Sequence, residues 1–397
     1  MTSGSTLTLS DYDQSLGAGT PSLYRMFCLR EMPNVDRLVS ALGRTLERFP
    51  RYATRIVLTD DGRSKLVPLE QPLALELRPA ANWAAETFRV EDVPHFVRGL
   101  TTEAAKPVLA VTLTPVTNGA VLGVSFSHAV GDMYSYYLFH AYWNEQMRLA
   151  VGADAGRGQR YVRLVTASGA SPQRWRDGSL EDRAGNTKYD YDVISFGQDE
   201  LEALRAELEK DGTFPSLNEA LTAYIVHRFG RKLVGRTSGL RLRVPVNVRG
   251  AHPLLPEDYI GNAIIEVLVP LGELADTPAA ARATAHRIRE TVRAARKPQN
   301  IASIIAVDEG GIRLLGKDLP VYDRRTDILS TNLSKMHFHK LDFGAGPPVR
   351  VFGMAYNGLW IAATENGLEA HIKCIRGSHS SNEDTLPLVS HTARATR

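Results

Sequence analysis

Residues 120–132 read Ala120-Val-Leu-Gly-Val-Ser-Phe-Ser-His-Ala-Val-Gly-Asp132, an apolar run that ends in a histidine and an aspartate. An earlier run, Val111-Thr-Leu-Thr-Pro115, is separated from it by Asn118-Gly119, the dipeptide that best suits a tight hairpin turn. The two runs therefore predict a pair of antiparallel strands that delivers His128 to the edge of a sheet.

The residues after this run predict a helix that starts beside the histidine. Asp132 suits a helix N-cap, and apolar and aromatic residues follow it at roughly helical spacing. A helix N-terminus lowers the pKa of a nearby imidazole and so favours the neutral form that a base needs. His128 is thus a candidate general base; the alternative is a core histidine beside a capping aspartate.

Length and charge limit the class of protein. A chain of 397 residues with 43% hydrophobic residues is too large for one ordinary core and predicts two domains, with a ligand cleft between them. The net charge is only +3, and basic and acidic residues are mixed along the chain. This distribution argues against nucleic acid as the main partner.

Cysteine usage and the N-terminus point to a cytoplasmic protein. The two cysteines, Cys28 and Cys374, form no CxxC or Cys/His cluster, which argues against a disulfide framework and against a zinc site. The first residues lack the basic and apolar regions of a signal peptide, and no apolar run approaches membrane-spanning length. We expect no metal and no membrane partner.

Hydrophobic periodicity divides the chain into two mixed units. The first contains a strand at 22–27 and a helix from Val35 to Pro50, and the pattern fades into a linker between about 151 and 190. We therefore place the domains at 1–185 and 190–397. In the second unit we predict helices from 201 and from 216, and strands at 191–196, 240–248, 263–269, 337–343, 349–356 and 359–364.

Four separated segments together resemble one family. They are His128-Ala-Val-Gly-Asp132, the predicted helix 216–224, Val246-Asn-Val-Arg-Gly250 with the Gly261-Asn262 loop, and Asp342-Phe-Gly-Ala-Gly346. In order and spacing they are similar to the BAHD acyltransferases over nearly the whole chain. The first motif alone is loose, and the specificity lies in the combination.

The resemblance implies an α/β fold of two chloramphenicol-acetyltransferase-like domains, with mixed sheets, flanking helices and an active-site channel at the domain interface. It also implies that a strand near 349–356 returns to the sheet of the first domain. The family's activity would be transfer of an acyl group from an acyl-CoA thioester to a hydroxyl or amine of a small-molecule acceptor in specialised metabolism. Acyl-CoA is then a co-substrate, with no permanently bound cofactor, and we expect a monomer.

The resemblance also assigns roles to single residues. His128 would be the base in a ternary complex of both substrates. Asp132 would pair with Arg249, as the corresponding residues do in the family; a plain helix cap is the alternative. Thr331, eleven positions before Asp342, stands where the family often has a donor to the oxyanion, or it is one of several polar residues at a strand edge. Lys335 either faces the acceptor pocket or is solvated.

Other residues receive structural or open assignments. We expect Asp342, Gly344 and Gly346 to shape a turn, because glycine permits unusual backbone angles and aspartate bonds nearby amides. Further expectations place His337 and His339 on one side of a strand as surface or pocket-lining imidazoles, place His140 at an interface, and leave Arg241, Arg243 and Lys232 as unresolved candidates for the phosphates of coenzyme A.

Two other functions stay open. One is a stand-alone condensation-type enzyme that takes its acyl group from a carrier protein; such relatives usually carry a second histidine where this chain has Ser127, which favours free acyl-CoA. The other is an inactive relative that binds a ligand or a partner, for which the intact His128, Asp132 and Arg249 would have no physical purpose.

Overall fold

The computed structural model describes residues 7–9, 13–14, 16, 23–60, 64–89, 92–98, 100, 107–149, 160–166, 189–234, 238–308, 311–314, 323, 326–353 and 358–375. No helix within these ranges is long and apolar enough to cross a membrane. The described residues form two α/β bodies, each built on a six-stranded mixed sheet.

The first sheet contains the predicted hairpin. Its strand order is β15-β2-β7-β6-β5-β8, and its strands are β2 (Leu23–Leu29), β5 (Leu73–Leu77), β6 (Leu109–Val116), β7 (Gly119–Phe126), β8 (Val162–Thr166) and β15 (Arg350–Gly353). The turn between β6 and β7 requires Gly119, because a Cβ there would lie 2.1 Å from the carbonyl oxygen of Leu29.

Two helices cover one face of this sheet. Helix α1 (Val35–Arg48) starts at Asn34, whose side chain accepts a hydrogen bond from the Arg37 amide, and α3 (Met133–Leu149) follows the histidine motif. Their buried side chains share one core with β2, β6 and β7. Alternate residues of β2, including Met26 and Cys28, face a smaller core on the other side. The short helix α2 (Val93–Phe96) contributes to that smaller core.

The second sheet has the order β11-β10-β14-β16-β17-β9. Helices α4 (Gln198–Glu207), α5 (Leu217–Val234) and α6 (Pro278–Ala295) contribute side chains to its main core. The strands are β9 (Tyr189–Gly197), β10 (Leu240–Asn247), β11 (Ile264–Gly272), β14 (Asp327–Leu333), β16 (Gly358–Ala363) and β17 (Gly367–Ile375).

The remaining elements are short. Strands β1 (Leu7–Thr8), β3 (Thr54–Leu58) and β4 (Ser64–Pro68) form a three-stranded sheet, and β12 (Ile305–Asp308) pairs with β13 (Gly311–Leu314). Helix α7 (Pro298–Ala302) follows α6, and single 3-10 turns lie at Pro50–Tyr52, Ala85–Thr87, His128–Val130 and Phe338–Lys340.

One strand crosses between the bodies. β15 follows the second body's β14 in sequence, yet it pairs antiparallel with β2, Arg350 opposite Cys28 and Gly353 opposite Arg25. It is shorter than the segment 349–356 predicted from the sequence, and residues 354–357 lie outside the described part of the chain.

Two predictions about elements were wrong, and one long helix was missed. Residues 337–343 are not a strand: they contain a 3-10 turn and the loop after it. The region 151–190 is not wholly a linker, because β8 lies within it and pairs with β5; most of its other residues lie outside the described ranges. Helix α6 was not predicted, since its buried residues are mostly alanine and threonine, with Ile288 as the one large apolar side chain among them.

Candidate active site

His128 lies where β7 ends and a single 3-10 turn begins. The hydroxyl of Ser127 accepts a hydrogen bond from the Ala129 amide at 3.3 Å and so caps this turn. The side-chain amide of Asn262, from the loop before β11, donates to the carbonyl oxygen of His128 at 2.9 Å. The backbone of His128 is therefore held from both halves of the chain.

The imidazole of His128 is buried and neutral at pH 7. Only 8% of the residue is exposed, and burial lowers its pKa below the ordinary value of 6.5, although the carboxylate of Asp132 acts in the opposite direction. Its Nδ1 atom has no hydrogen-bond partner among the described residues. A neutral imidazole has one unprotonated nitrogen, so this form of the ring can accept a proton.

Asp132 forms a buried, two-point ion pair with Arg249. Nη1 of Arg249 lies 2.9 Å from Oδ2 and Nη2 lies 3.0 Å from Oδ1 of the carboxylate, and each residue is 1% exposed. The same carboxylate also accepts hydrogen bonds from the Ser135 amide at 3.0 Å and the Ala263 amide at 2.8 Å. Capping a helix and pairing with arginine are thus both done by this one side chain.

The guanidinium of Arg249 has further partners that join the two bodies. Nε donates to the carbonyl oxygen of Tyr259 at 2.8 Å, and Nη2 donates to that of Gly261 at 2.7 Å. Nη2 also lies 2.8 Å from the hydroxyl of Ser135, and Nη1 lies 3.1 Å from the side-chain oxygen of Asn247. Arg249 therefore fixes the 259–263 loop against the start of α3, one turn from His128.

Sequence reasoning gave no role to Ser135 or Asn262. The hydroxyl of Ser135 donates to the carbonyl oxygen of Gly261 at 2.8 Å and accepts from the Gly261 amide at 3.0 Å. Asn262 also donates to the carboxylate of Asp13 at 2.8 Å. The Gly261-Asn262 motif was the available signal for Asn262, whereas nothing in the sequence distinguishes Ser135 from other serines at the start of a helix.

Thr331 lies on the face of the second sheet that is turned toward the histidine body. The neighbouring β14 residues Ser330 and Asn332 contact α5, so the alternation of the strand places Thr331 on the opposite face together with Leu333. Leu333 and Trp360 pack with Met133, which directly follows Asp132. Lys335, after the strand, is exposed.

Three other histidines lie largely in their predicted settings, apart from the strand expected around His337 and His339. His140 is fully buried, with the rings of Phe27, Tyr136 and Trp143 around it and that of Phe343 from the second half of the chain, so it lies where the two halves meet, as predicted. His337 directly precedes the 3-10 turn and His339 lies within it, so the two do not alternate on a strand; their ring centroids are 5.7 Å apart. They line an open cavity of about 460 Å³.

Two candidates for coenzyme A phosphates are already paired. Arg241 and Arg243 donate to opposite oxygens of the buried Asp327 at 2.7 and 2.8 Å, and Arg243 also donates to Glu266 at 2.6 Å. Arg243 is only 4% exposed. The side chain of Lys232 lies outside the described part of the chain. Within the described residues, no cluster of three His, Cys, Asp or Glu side chains has metal-binding geometry.

The Asp342-Phe-Gly-Ala-Gly346 segment forms a tight turn against α3. The carboxylate of Asp342 accepts from the Gly344 amide at 2.9 Å, and both glycines have positive φ angles, +79° at Gly344 and +72° at Gly346. Phe343 is fully buried, and its amide donates to the side chain of Asn144 at 2.9 Å. The turn thus anchors the chain just before β15 crosses to the first sheet.

Comparisons with known proteins agree with this architecture. A model of the Transferase family matches residues 91–362, more than half of the chain. The chain therefore belongs to this family, the BAHD acyltransferases, whose membership implies an acyl-CoA-dependent acyltransferase acting on small molecules. A search of curated protein sequences finds no significant match.

Solved structures share the fold at low identity. TRI101 of F. sporotrichioides, solved with coenzyme A and T-2, is 18% identical, with 93% of this chain and 95% of that chain covered and a TM-score of 0.68. Vinorine synthase is 16% identical over 95% and 92% of the chains, with a TM-score of 0.64. The first condensation domain of the CDA synthetase is 14% identical over 96% and 92%, with a TM-score of 0.59. The predicted two-domain, chloramphenicol-acetyltransferase-like fold is confirmed.

Proposed function

We propose that the chain transfers an acyl group from acyl-CoA to a hydroxyl or amine of a small-molecule acceptor, with His128 as the general base. The observation that carries this proposal is a neutral, buried imidazole at the end of β7, where Asn262 of the second body bonds the backbone of His128 and the hydrogen-bonded pair of Asp132 and Arg249 follows. A plain core histidine would not require a buried ion pair beside it, since such pairs are costly to desolvate.

The chemistry follows from the weakness of a neutral hydroxyl as a nucleophile. His128 takes the proton of the acceptor as its oxygen or nitrogen attacks the thioester carbon, and the carbonyl oxygen becomes negative. When the C–S bond breaks, the carbonyl re-forms, and the imidazolium returns the proton to the leaving thiolate to give free coenzyme A. Both substrates are bound together, so no covalent acyl-enzyme forms.

The supporting residues act at different distances from the reacting atoms. Thr331 is proposed to donate its hydroxyl to the developing oxyanion, because it lies on the sheet face turned toward the histidine body. Asp132 and Arg249 are positioning residues, since all the contacts described for them are with each other and with neighbouring protein groups. Lys335 stays a weak candidate for acceptor binding.

The proposal of acyl-CoA as donor is supported by a structural neighbour, TRI101, which was solved with coenzyme A and T-2 bound. Acyl-CoA enters as a co-substrate. The fold shared with a condensation domain keeps a carrier-protein donor as the competing proposal, and Ser127 in place of a second histidine favours free acyl-CoA. The domain division at 1–185 and 190–397, a monomeric state and a cytoplasmic location stay predictions.

The test measures release of free thiol from acetyl-CoA and longer acyl-CoAs with a panel of small alcohols and amines. The wild type is expected to release thiol only when an acceptor is present, and His128→Ala to lower this rate by roughly 10²- to 10⁴-fold with an unchanged circular dichroism spectrum. His252→Ala, at a half-buried turn, is the matched control and should retain the rate. Activity only with a loaded carrier protein would favour the competing donor.

A further inference from the structure

Three side chains follow one another across the strands of the second sheet, on the face turned toward the first body. Thr331 of β14 is the register partner of Trp360 on β16, and Trp360 is the partner of His371 on β17. Neighbouring strands are about 4.8 Å apart, so the backbone of His371 lies roughly 10 Å from that of Thr331. A molecule that reaches Thr331 from the interface therefore comes within reach of His371.

The ring of His371 is held in one orientation. It stacks on the indole of Trp360 with centroids 3.8 Å apart and planes 18° from parallel. Its Nε2 lies 3.4 Å from a carboxylate oxygen of Glu369, and the other oxygen of Glu369 accepts from the hydroxyl of Ser195 at 3.3 Å. The ring is thus fixed by a stacking partner and by a carboxylate that is itself held by a hydroxyl.

These contacts determine which nitrogen of His371 carries the proton. Hydrogen bonding to His371 lowers the pKa of Glu369, so this carboxyl is ionised and can only accept. Burial lowers the pKa of His371, so its ring is neutral. The single ring proton therefore lies on Nε2, facing Glu369, and Nδ1 has a bare lone pair.

Two buried polar atoms of this stack have no hydrogen-bond partner among the described residues: Nδ1 of His371 and Nε1 of Trp360. His371 is 5% exposed and Trp360 is 6% exposed. Leaving such groups unsatisfied is costly, and native structures rarely do so. One atom is an acceptor and the other a donor, and a hydroxyl group can satisfy both at once.

The stack lies at the contact between the two bodies. The guanidinium of Arg25, from β2 of the first sheet, lies 5.5 Å from the ring centroid of Trp360 and 4.8 Å from that of Phe338. Trp360 also packs with Leu333 and Met133, and Met133 directly follows Asp132. The stack therefore shares the interface that contains the proposed reaction site.

We propose that His371 and Trp360 bind a second hydroxyl of the acceptor, so that the preferred acceptors are diols or polyols. The second hydroxyl donates to Nδ1 of His371 and accepts from the indole N–H of Trp360, while the first hydroxyl reacts at His128. Glu369 is a positioning residue that fixes the tautomer of His371. This inference rests on the proposed acyltransferase function and adds the acceptor class to it.

The experiment compares linear α,ω-diols, from butane-1,4-diol to decane-1,10-diol, with the mono-alcohols of the same length, using acetyl-CoA. The wild type is expected to show kcat/KM for the diol of best length about tenfold above that for its mono-alcohol, after correction for two equivalent hydroxyls, which lies within the net gain from the two proposed hydrogen bonds. His371→Phe and Trp360→Phe should bring this ratio to about one. His371→Asn, which keeps an acceptor near the position of Nδ1, should restore part of it.

The matched control is Trp83→Phe, which alters another stacked tryptophan, on Phe88 in the first body. It should leave the diol ratio at the wild-type value. A ratio of one in the wild type at every length, or a ratio unchanged in His371→Phe, would overturn the inference while leaving acyl transfer itself intact.

A second measurement needs no turnover. Nitrogen-15 spectra of the His371 ring should show a neutral ring protonated at Nε2, and titration with the α,ω-diols should shift the Nδ1 signal more than titration with mono-alcohols. A ring protonated at Nδ1 would overturn the inference even in an enzyme that transfers acyl groups. Absence of any thiol release from acyl-CoA would instead contradict the proposed function.

Discussion

Arg249 meets Asp132 across 117 positions of sequence with two parallel hydrogen bonds, and both side chains are buried at the junction of the two bodies. The pair joins the loop before β11 to the first turn of α3, and α3 begins five residues after His128. Its effect on the imidazole is geometric, because it fixes the two segments between which the ring is placed.

Removing one partner of this pair should lower stability and activity together. Arg249→Ala leaves a buried carboxylate uncompensated and is expected to reduce the free energy of unfolding by about 3–5 kcal/mol, measured by urea denaturation. Arg228→Ala, which disrupts the more exposed pair with Asp276, is the control and should cost less than about 1 kcal/mol. An Arg249→Ala protein as stable as the wild type would contradict the structural role of the pair.

The pH dependence of the rate should follow His128. Its pKa is lowered by burial, and a base acts in its deprotonated form, so kcat/KM should rise with pH through a value below 6.5 and be flat above it. A pH profile from 5 to 8.5 with a fixed acyl-CoA and acceptor measures this. An acidic limb centred above pH 6.5 would mean that the base is a different or a more exposed group.

Two variants of Thr331 would distinguish a role in stabilising the transition state from a role in packing. Thr331→Val keeps the shape but removes the hydroxyl, and loss of an oxyanion donor is expected to lower kcat by roughly 10²- to 10³-fold with little change in the KM for acyl-CoA. Thr331→Ser should retain most of the rate. Equal rates for the valine variant and the wild type would make Thr331 an ordinary polar residue of β14.

The buried His140 should make the fold sensitive to acid. Its pKa is lowered to about 3 by burial, whereas the unfolded chain titrates near 6.5. The folded state thus binds fewer protons, so the stability is complete above about pH 6.5 and is lost as the pH falls toward 3. Between pH 7 and 5, His140→Phe should lose about 2 kcal/mol less than the wild type in urea unfolding. Equal losses in the two proteins would contradict this role of His140.

The turn at Asp342 should depend on backbone conformation. Gly344 has φ of +79°, where a Cβ would also lie 3.1 Å from the terminal methyl of Met147. Gly344→Ala is therefore expected to cost about 1–2 kcal/mol, and Gly344→Asn less, because asparagine tolerates this region of backbone space better. The melting temperatures of the two variants measure their losses of stability. A smaller loss for Gly344→Ala than for Gly344→Asn would show that backbone strain does not govern this turn.

Local patterns predicted the elements around His128 because the information is local. The Asn118-Gly119 turn, the apolar run of β7 and the capping Asp132 before α3 each lie within a few residues of sequence. The two-domain fold came from the combination of motifs. The helix cap and the ion pair of Asp132 were predicted as alternatives. Both are present, because one carboxylate has enough lone pairs for both sets of hydrogen bonds.

The features that the sequence did not predict depend on contacts between segments that are far apart in the chain. The full burial of His140 could not be predicted, because the helix is covered by Phe27 on one strand and by Phe343 on a remote turn and therefore has no single apolar stripe in the sequence. The candidate phosphate ligands Arg241 and Arg243 are matched to Asp327, 86 and 84 positions away. The hydroxyl of Ser135 gains its importance only when the 261–263 loop arrives from the other body.

The crossing of β15 to the first sheet also determines when, during synthesis of the chain, that sheet can be completed. Until Arg350–Gly353 has been synthesised, β2 remains an open edge, and its seven residues, which include one charged side chain, Arg25, are all buried in the finished structure. An edge of this length with six uncharged residues out of seven is prone to pair with other chains. The β2 edge of the first sheet therefore has to be protected from other chains through most of translation. It is covered only when β15, from the second half of the chain, has been synthesised.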